Sequence, residues 1–181
     1  RYPSDWENQV NTFHRLDKET SDNDEVTIAC AVQTLNVYYL PDFIQWKLEQ
    51  GFKKINMWPF GAGGISQHFV YWPAHLNVKS LPTDFKAKCR EKYEAWYPWW
   101  EENWELGIPS WHKGKVDYDQ WRSAEYGIKR LNGILSFMES EDWSQRLPEM
   151  KEFLGLCDKQ RGITFEETFP EMKGIFNESK D

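Results

Sequence analysis

The chain has 181 residues, a net charge of −7, a pI near 5.2 and 17% aromatic residues, 11 of them tryptophan. That length suffices for one buried core, and the acidic balance gives no basic footprint of the kind a dedicated nucleic-acid binder carries. No apolar run reaches the roughly 20 residues that cross a bilayer, no signal peptide opens the chain, and three unpaired-looking cysteines fit a reducing compartment, so a cytoplasmic protein without a membrane partner is expected.

In chain order, Ser4 to Lys18 reads as a helix, with Ser4 as cap and Glu7 at the capping-box spacing. Ser21-Asp-Asn-Asp24 is a polar turn. Val26 to Val32 is an almost unbroken apolar run, which suits a strand covered on both faces as in parallel sheets. Pro41 then sits as a first helical position and Gly51 as a helix terminator. Ile55 to Trp58 is expected to return as a second, parallel strand beside the first. Such a unit places Gln33, Thr34 and Asn36 at the carboxyl edge of the sheet, where α/β folds bind their ligands.

Phe60-Gly-Ala-Gly-Gly64 is a flexible connection without the Gly-Lys-Ser/Thr ending of a phosphate-binding loop. Gln67 to Trp72 and Leu76 to Lys79 read as short strands flanking Pro73. On the first, the period of two puts His68 and Trp72 on one face. Each suits either a substrate contact or an ordinary core or surface position.

Beyond Pro82 the pattern turns helical. Phe85, Cys89, Tyr93, Trp96 and Trp100 share one helix face, which reads as packing between helices, and Pro98 predicts a kink or a new start. Gly107 to Gly114 reads as a loop. Trp121, Ala124, Ile128, Leu131, Leu135 and Met138 repeat at helical spacing, as do Met150, Leu154 and Cys157. Gly162 suits a helix end, and Asp158 with Arg161 suits an ion pair. The acidic pairs Glu101-Glu102, Glu139 with Glu141-Asp142, and Glu166-Glu167 read as solvated or dipole-complementing rather than as a glycosidase couple.

Several segments, taken together and in order, resemble a known family. Arg1-Tyr-Pro-Ser-Asp-Trp6, Ala29-Cys-Ala-Val-Gln-Thr-Leu-Asn36, Leu76-Asn-Val-Lys-Ser-Leu-Pro82, Leu156-Cys-Asp-Lys-Gln-Arg-Gly162 and Thr168-Phe-Pro-Glu171 look like the C-terminal portion of radical SAM proteins of the SPASM/twitch type. The resemblance covers nearly the whole chain. It implies an α/β fold: the C-terminal part of a partial (β/α) barrel over residues 1–82, with Leu76 to Lys79 as its last strand, then a mostly helical region over 83–181. It also implies an upstream half of the same protein as partner, with Arg1 at the cut edge.

By the same resemblance, the intact enzyme would use a [4Fe-4S] cluster to cleave S-adenosylmethionine to a 5'-deoxyadenosyl radical and modify a substrate, with a peptide or protein as the leading class. Arg1 falls where the family places an arginine on the methionyl carboxylate, a task its fork suits, although a solvated terminus reads equally well. Asn36 falls where the family has an asparagine after the fifth strand; with Gln33 it is a candidate cofactor contact, or else it orients the turn. His68 and Trp72 are the candidate substrate contacts.

The departure from the family is in the cysteines. Its Cys-x3-Cys-x2-Cys run is missing, and Cys30, Cys89 and Cys157 lie 59 and 68 residues apart, which fits no iron–sulfur or zinc spacing. No metal ligands are therefore assigned, no cofactor is expected bound to this chain alone, and it is expected to be inactive by itself. The alternative is a non-catalytic module whose tryptophans form a platform for carbohydrate or a partner protein.

Overall fold

A computed structural model describes residues 5–21, 24, 26, 28–55, 65–107 and 123–177. The first helix, α1 (Trp6–Glu19), is capped by Asp5, whose carboxylate accepts from the Glu7 N–H at 3.2 Å. The expected cap, Ser4, lies outside the described residues, as does Arg1. No residue of α1 is buried. Its contacts include rings, Trp6 on Trp46 with centroids 4.8 Å apart and Phe13 on Trp46 and on the buried Phe52, together with the Asp17 carboxylate.

Next come β1 (Ile28–Val32), α2 (Leu40–Glu49) and β2 (Ile65–Phe69), and the two strands pair in a parallel sheet. The strand–helix–strand order agrees with the α/β expectation, and α2 spans the expected position. Pro41 is in its first turn, and Gly51, at φ +66°, follows its end. Among the described residues the returning strand is β2; of the expected Ile55–Trp58 only Ile55 is described, and it lies outside any strand. The N–H groups of Lys53, Lys54 and Ile55 all donate to Asp17, which withdraws them from a ladder. Lys54 still accepts from the Val26 N–H at 3.0 Å; residues 56–58 lie outside the described set. Nor is β1 covered on both faces: Cys30 and Val32 turn inward while Ala29 and Ala31 are exposed. Among the described residues the sheet has two strands.

Leu76 to Lys79 is a second correction. The segment forms two 3-10 turns, Ala74–Leu76 and Val78–Ser80. Asn77 caps the second by accepting from the Lys79 N–H at 3.0 Å, and the Ser80 hydroxyl donates to the Ala74 carbonyl at 2.8 Å. Short polar side chains that bond the local backbone compete with strand pairing, and here they prevail.

The helical second half consists of α3 (Thr83–Asn103), α4 (Ala124–Glu139), α5 (Leu147–Arg161) and the short α6 (Phe165–Thr168). Helix α3 runs through Pro98, and its stripe from Phe85 to Trp100 is buried, as helix packing requires. Gly162, at φ +71°, ends α5. The Asp158 carboxylate accepts from the Phe165 N–H at 3.1 Å, so it fastens α6 to the end of α5 where an ion pair with the exposed Arg161 was expected. Glu167 completes a capping box with Thr164. Phe60–Gly64, most of Gly107–Gly114 and Trp121 lie outside the described residues. Among the described residues no helix is long and apolar enough to cross a membrane.

Packing divides the described residues into two compact units. The first takes those of Arg1–Ala31, Tyr39–His68 and Tyr93–Gly133; the second takes those of Val32–Tyr38, Phe69–Lys92 and Ile134–Asp181. In the first, Ile44, Leu48, Ile55, Tyr93, Trp100 and Leu131 are buried, and the indoles are satisfied: Trp96 donates to Gln45 at 3.0 Å and Trp100 to the Ala124 carbonyl at 2.9 Å. In the second, Val32, Leu81, Phe85, Leu135, Met138 and Met150 form the core, with two lysines inside it. Lys79 bonds Glu141 and lies over the Phe137 and Trp143 rings; Lys86 donates to the Glu141 carbonyl at 2.9 Å. Burial pulls the Lys86 ammonium below its ordinary range, and the nearby Asp142 and Glu139 charges oppose that shift.

Two glycines of α4 predict opposite outcomes. A methyl at Gly127 would sit 2.2 Å from Cζ2 of Trp100, whereas one at Gly133 meets nothing within 4 Å. Gly127→Ala is expected to lower the free energy of unfolding in urea by about 1–3 kcal/mol through overpacking. Gly133→Ala should raise it by about 0.5–1 kcal/mol through helix propensity. Equal midpoints for the two variants would contradict this packing.

A pH profile tests the lysine network. The hydrogen bond from Lys79, followed by that from the Trp143 indole, holds the Glu141 carboxyl below its ordinary value of 4.5. A depressed folded-state value means that the Glu141 contribution is complete above pH 4.5 and is lost as pH falls through the folded value. Glu141→Gln should therefore destabilise the protein near neutrality and converge with the parent in acid. A constant offset at all pH values would refute the pairing.

Candidate functional site

The carboxyl edge of β1 is built by a turn. Val32 ends the strand with its carbonyl accepting from the Val70 N–H at 3.0 Å. The Gln33 carbonyl then accepts from the N–H groups of Asn36 and Val37, at 3.1 and 3.0 Å. The Asn36 side-chain oxygen accepts from the Gln33 N–H at 2.8 Å, closing the turn on itself. Asn36 thus orients the turn, one of its two expected uses, and it is held against Gln33 while doing so.

Thr34 joins this turn to the 3-10 segment. Its N–H donates to the Leu76 carbonyl at 3.0 Å, which sets it beside the stretch holding His75 and Asn77. Thr34 and Asn77 are fully buried. The Thr34 hydroxyl, the Asn77 amide nitrogen and His75 Nε2 are buried atoms without a hydrogen-bond partner among the described residues. Such groups are uncommon and cost free energy unless something polar meets them. His75 faces Glu149 through Nδ1 at 3.9 Å and packs on the Phe153 ring. The carboxamide is a donor, the hydroxyl is a donor or an acceptor, and the imidazole takes either role by tautomer, so each suits an uncharged polar group or a water.

The remaining expected residues lie on β2 and beyond its end. His68 is on β2 and exposed. Trp72 is 82% exposed and lies beyond the end of β2 at Phe69, so the shared strand face does not extend to it. Sequence reasoning placed Thr34 at the edge without giving it a role, and it passed over Asn77. The available signal for Asn77 was an Asn inside a stretch read as strand, where that residue is disfavoured.

The thiols do not fit an iron–sulfur centre. Cys30 is on β1, Cys89 on α3 and Cys157 on α5. Burial raises the Cys30 thiol, and burial pushes Cys89 up to about 12 against the opposing pull of Lys92 and Lys88. Metal binding needs thiolates, which such burial disfavours. Among the described residues no three His, Cys, Asp or Glu side chains gather as a metal-binding group. A separate cavity of about 1070 Å³ in the second unit lies between the first turns of α3 and α5, bordered by Thr83, Asp84, Lys151 and Phe176. None of the expected site residues lines it.

Two substitutions separate the turn from the buried polar set. Asn36→Ala removes the acceptor of the Gln33 N–H and is expected to cost about 1 kcal/mol of stability. Thr34→Val keeps the shape and removes an unpartnered hydroxyl, so stability in urea should hold or rise by up to about 1 kcal/mol. A large loss in Thr34→Val would show that the hydroxyl is already engaged. No protein-family model, no curated protein and no solved structure matches this chain.

Proposed function

We propose that this chain is the C-terminal portion of a radical SAM protein of the SPASM/twitch type, contributing the carboxyl-edge wall of a partial barrel. The observation that carries this reading is the buried Thr34 hydroxyl and Asn77 amide nitrogen, each without a hydrogen-bond partner among the described residues, with Thr34 in the Gln33–Asn36 turn at the end of a parallel strand. α/β folds bind ligands at that edge. The exposed Ala29 and Ala31 on β1 also suit a covering layer from elsewhere in the protein. Since the cysteines of this chain do not fit the cluster, its ligands belong in this reading to an upstream half. The residues here bind and orient: Arg1, Gln33 and Asn36 toward S-adenosylmethionine, and His68 and Trp72 each toward a peptide or protein substrate. The substrate class rests on resemblance.

The test uses the reading frame extended upstream of Arg1. Its product should contain the three-cysteine run, bind S-adenosylmethionine and, under reducing anaerobic conditions, release 5'-deoxyadenosine. Arg1→Ala or Asn36→Ala should weaken cofactor binding by about tenfold, the scale of one lost charge-assisted hydrogen bond. Thr34→Val, which spares the turn, should weaken it as well. Unchanged binding in all three variants would overturn the residue assignments, and an extended frame without the cysteine run would overturn the family reading.

A further inference from the structure

The Asp17 carboxylate occupies an unusual cradle. Its Oδ1 accepts from three successive backbone N–H groups, those of Lys53, Lys54 and Ile55, at 2.8, 2.6 and 3.1 Å, and Oδ2 takes a second bond from Lys53 at 3.1 Å. Successive amides converging on one point form an anion-binding concavity, and two of these three residues carry ammonium groups. Asp17 is poorly placed as a helix residue, because it lies near the carboxyl end of α1, where the helix dipole disfavours negative charge. The helix that delivers it has no buried residue. Its other holds are the part-exposed Trp6, Phe13 and Trp46 rings, Phe13 and His14 against the buried Phe52 ring, and a His14–Gln50 hydrogen bond at 3.2 Å.

We propose that the Lys53–Ile55 amides form an oxyanion-binding site of which Asp17 is the resident, displaceable occupant. The ligand is a phosphate or carboxylate group, and its oxygen takes the place now held by Oδ1. Ligand binding and the docking of α1 are then alternatives, so an arriving oxyanion releases the helix. This site is distinct from the Gln33–Asn36 turn: Lys54 meets the chain at Val26, before β1 begins, whereas the turn follows its end. The inference does not depend on the radical SAM reading.

The experiment follows the amide resonances of Lys53, Lys54 and Ile55 and the hydrogen exchange of α1 in the full chain and in Asp17→Ala. Each is titrated with inorganic phosphate, with acetate, and with chloride at equal ionic strength. In Asp17→Ala the three amides should shift saturably with phosphate or acetate and not with chloride. The parent should need at least about tenfold more of the same anion, since it must first lose a charge-assisted contact. Saturation of the parent should speed exchange in α1. Response to phosphate alone identifies a phosphate ester as the ligand class, response to acetate alone identifies a carboxylate, and an equal response to both supports an oxyanion site without preference between them. If Asp17→Ala does not fold, the parent alone decides through α1 exchange. Amides that ignore both oxyanions, or phosphate binding at 53–55 with α1 exchange unchanged, would overturn the proposal.

Discussion

The apolar face of α3 is the constraint on which both units depend. Phe85, Cys89, Tyr93, Trp96 and Trp100 are all buried along one 21-residue helix, with residues up to Lys92 in the second unit and those from Tyr93 in the first. Spacings of three and four keep these side chains in one stripe, so a single element supplies core to each unit. The polar ends of the large rings are accounted for within that stripe: both buried indoles find oxygen acceptors. Losing either acceptor would leave a buried N–H without a partner.

What the sequence made legible was what depends on short-range periodicity. The α3 stripe, the Ala124–Met138 face, the start of α2 at Pro41 and the stop of α5 at Gly162 are each set by neighbours within one or two turns. The bonding at Ile55 was not legible because the deciding contact is remote. Asp17, 36 residues before Lys53 in the chain, takes the amides that a ladder would need, and no window around Ile55 contains that fact. Leu76 to Lys79 failed for the opposite reason, since its local polar bonding outweighed an apolar pattern that suits a strand.

The candidate site was legible in outline. A strand followed by a turn-forming Gln-Thr-Leu-Asn predicted a polar edge, and Gln33 and Asn36 do meet there. Partnership was not legible. Whether Thr34 and Asn77 keep unused hydrogen-bonding capacity depends on burial by segments far along the chain. The pairing of His68 with Trp72 assumed a strand longer than the one formed, because β2 stops where the chain bends toward Pro73.

The tryptophan cluster of α3 has a spectroscopic consequence. Trp96 lies with ring centroids 5.5 Å from Trp99 and 5.7 Å from Trp100, at interplanar angles of 29° and 33°. Indoles so close and inclined mix their excited states, which gives paired bands of opposite sign in circular dichroism that overlap the peptide signal. Helix content read from the far-ultraviolet spectrum alone will therefore be biased in this protein. The same bands give a native-state signal that reports on the packing of one short stretch of helix, separately from the backbone.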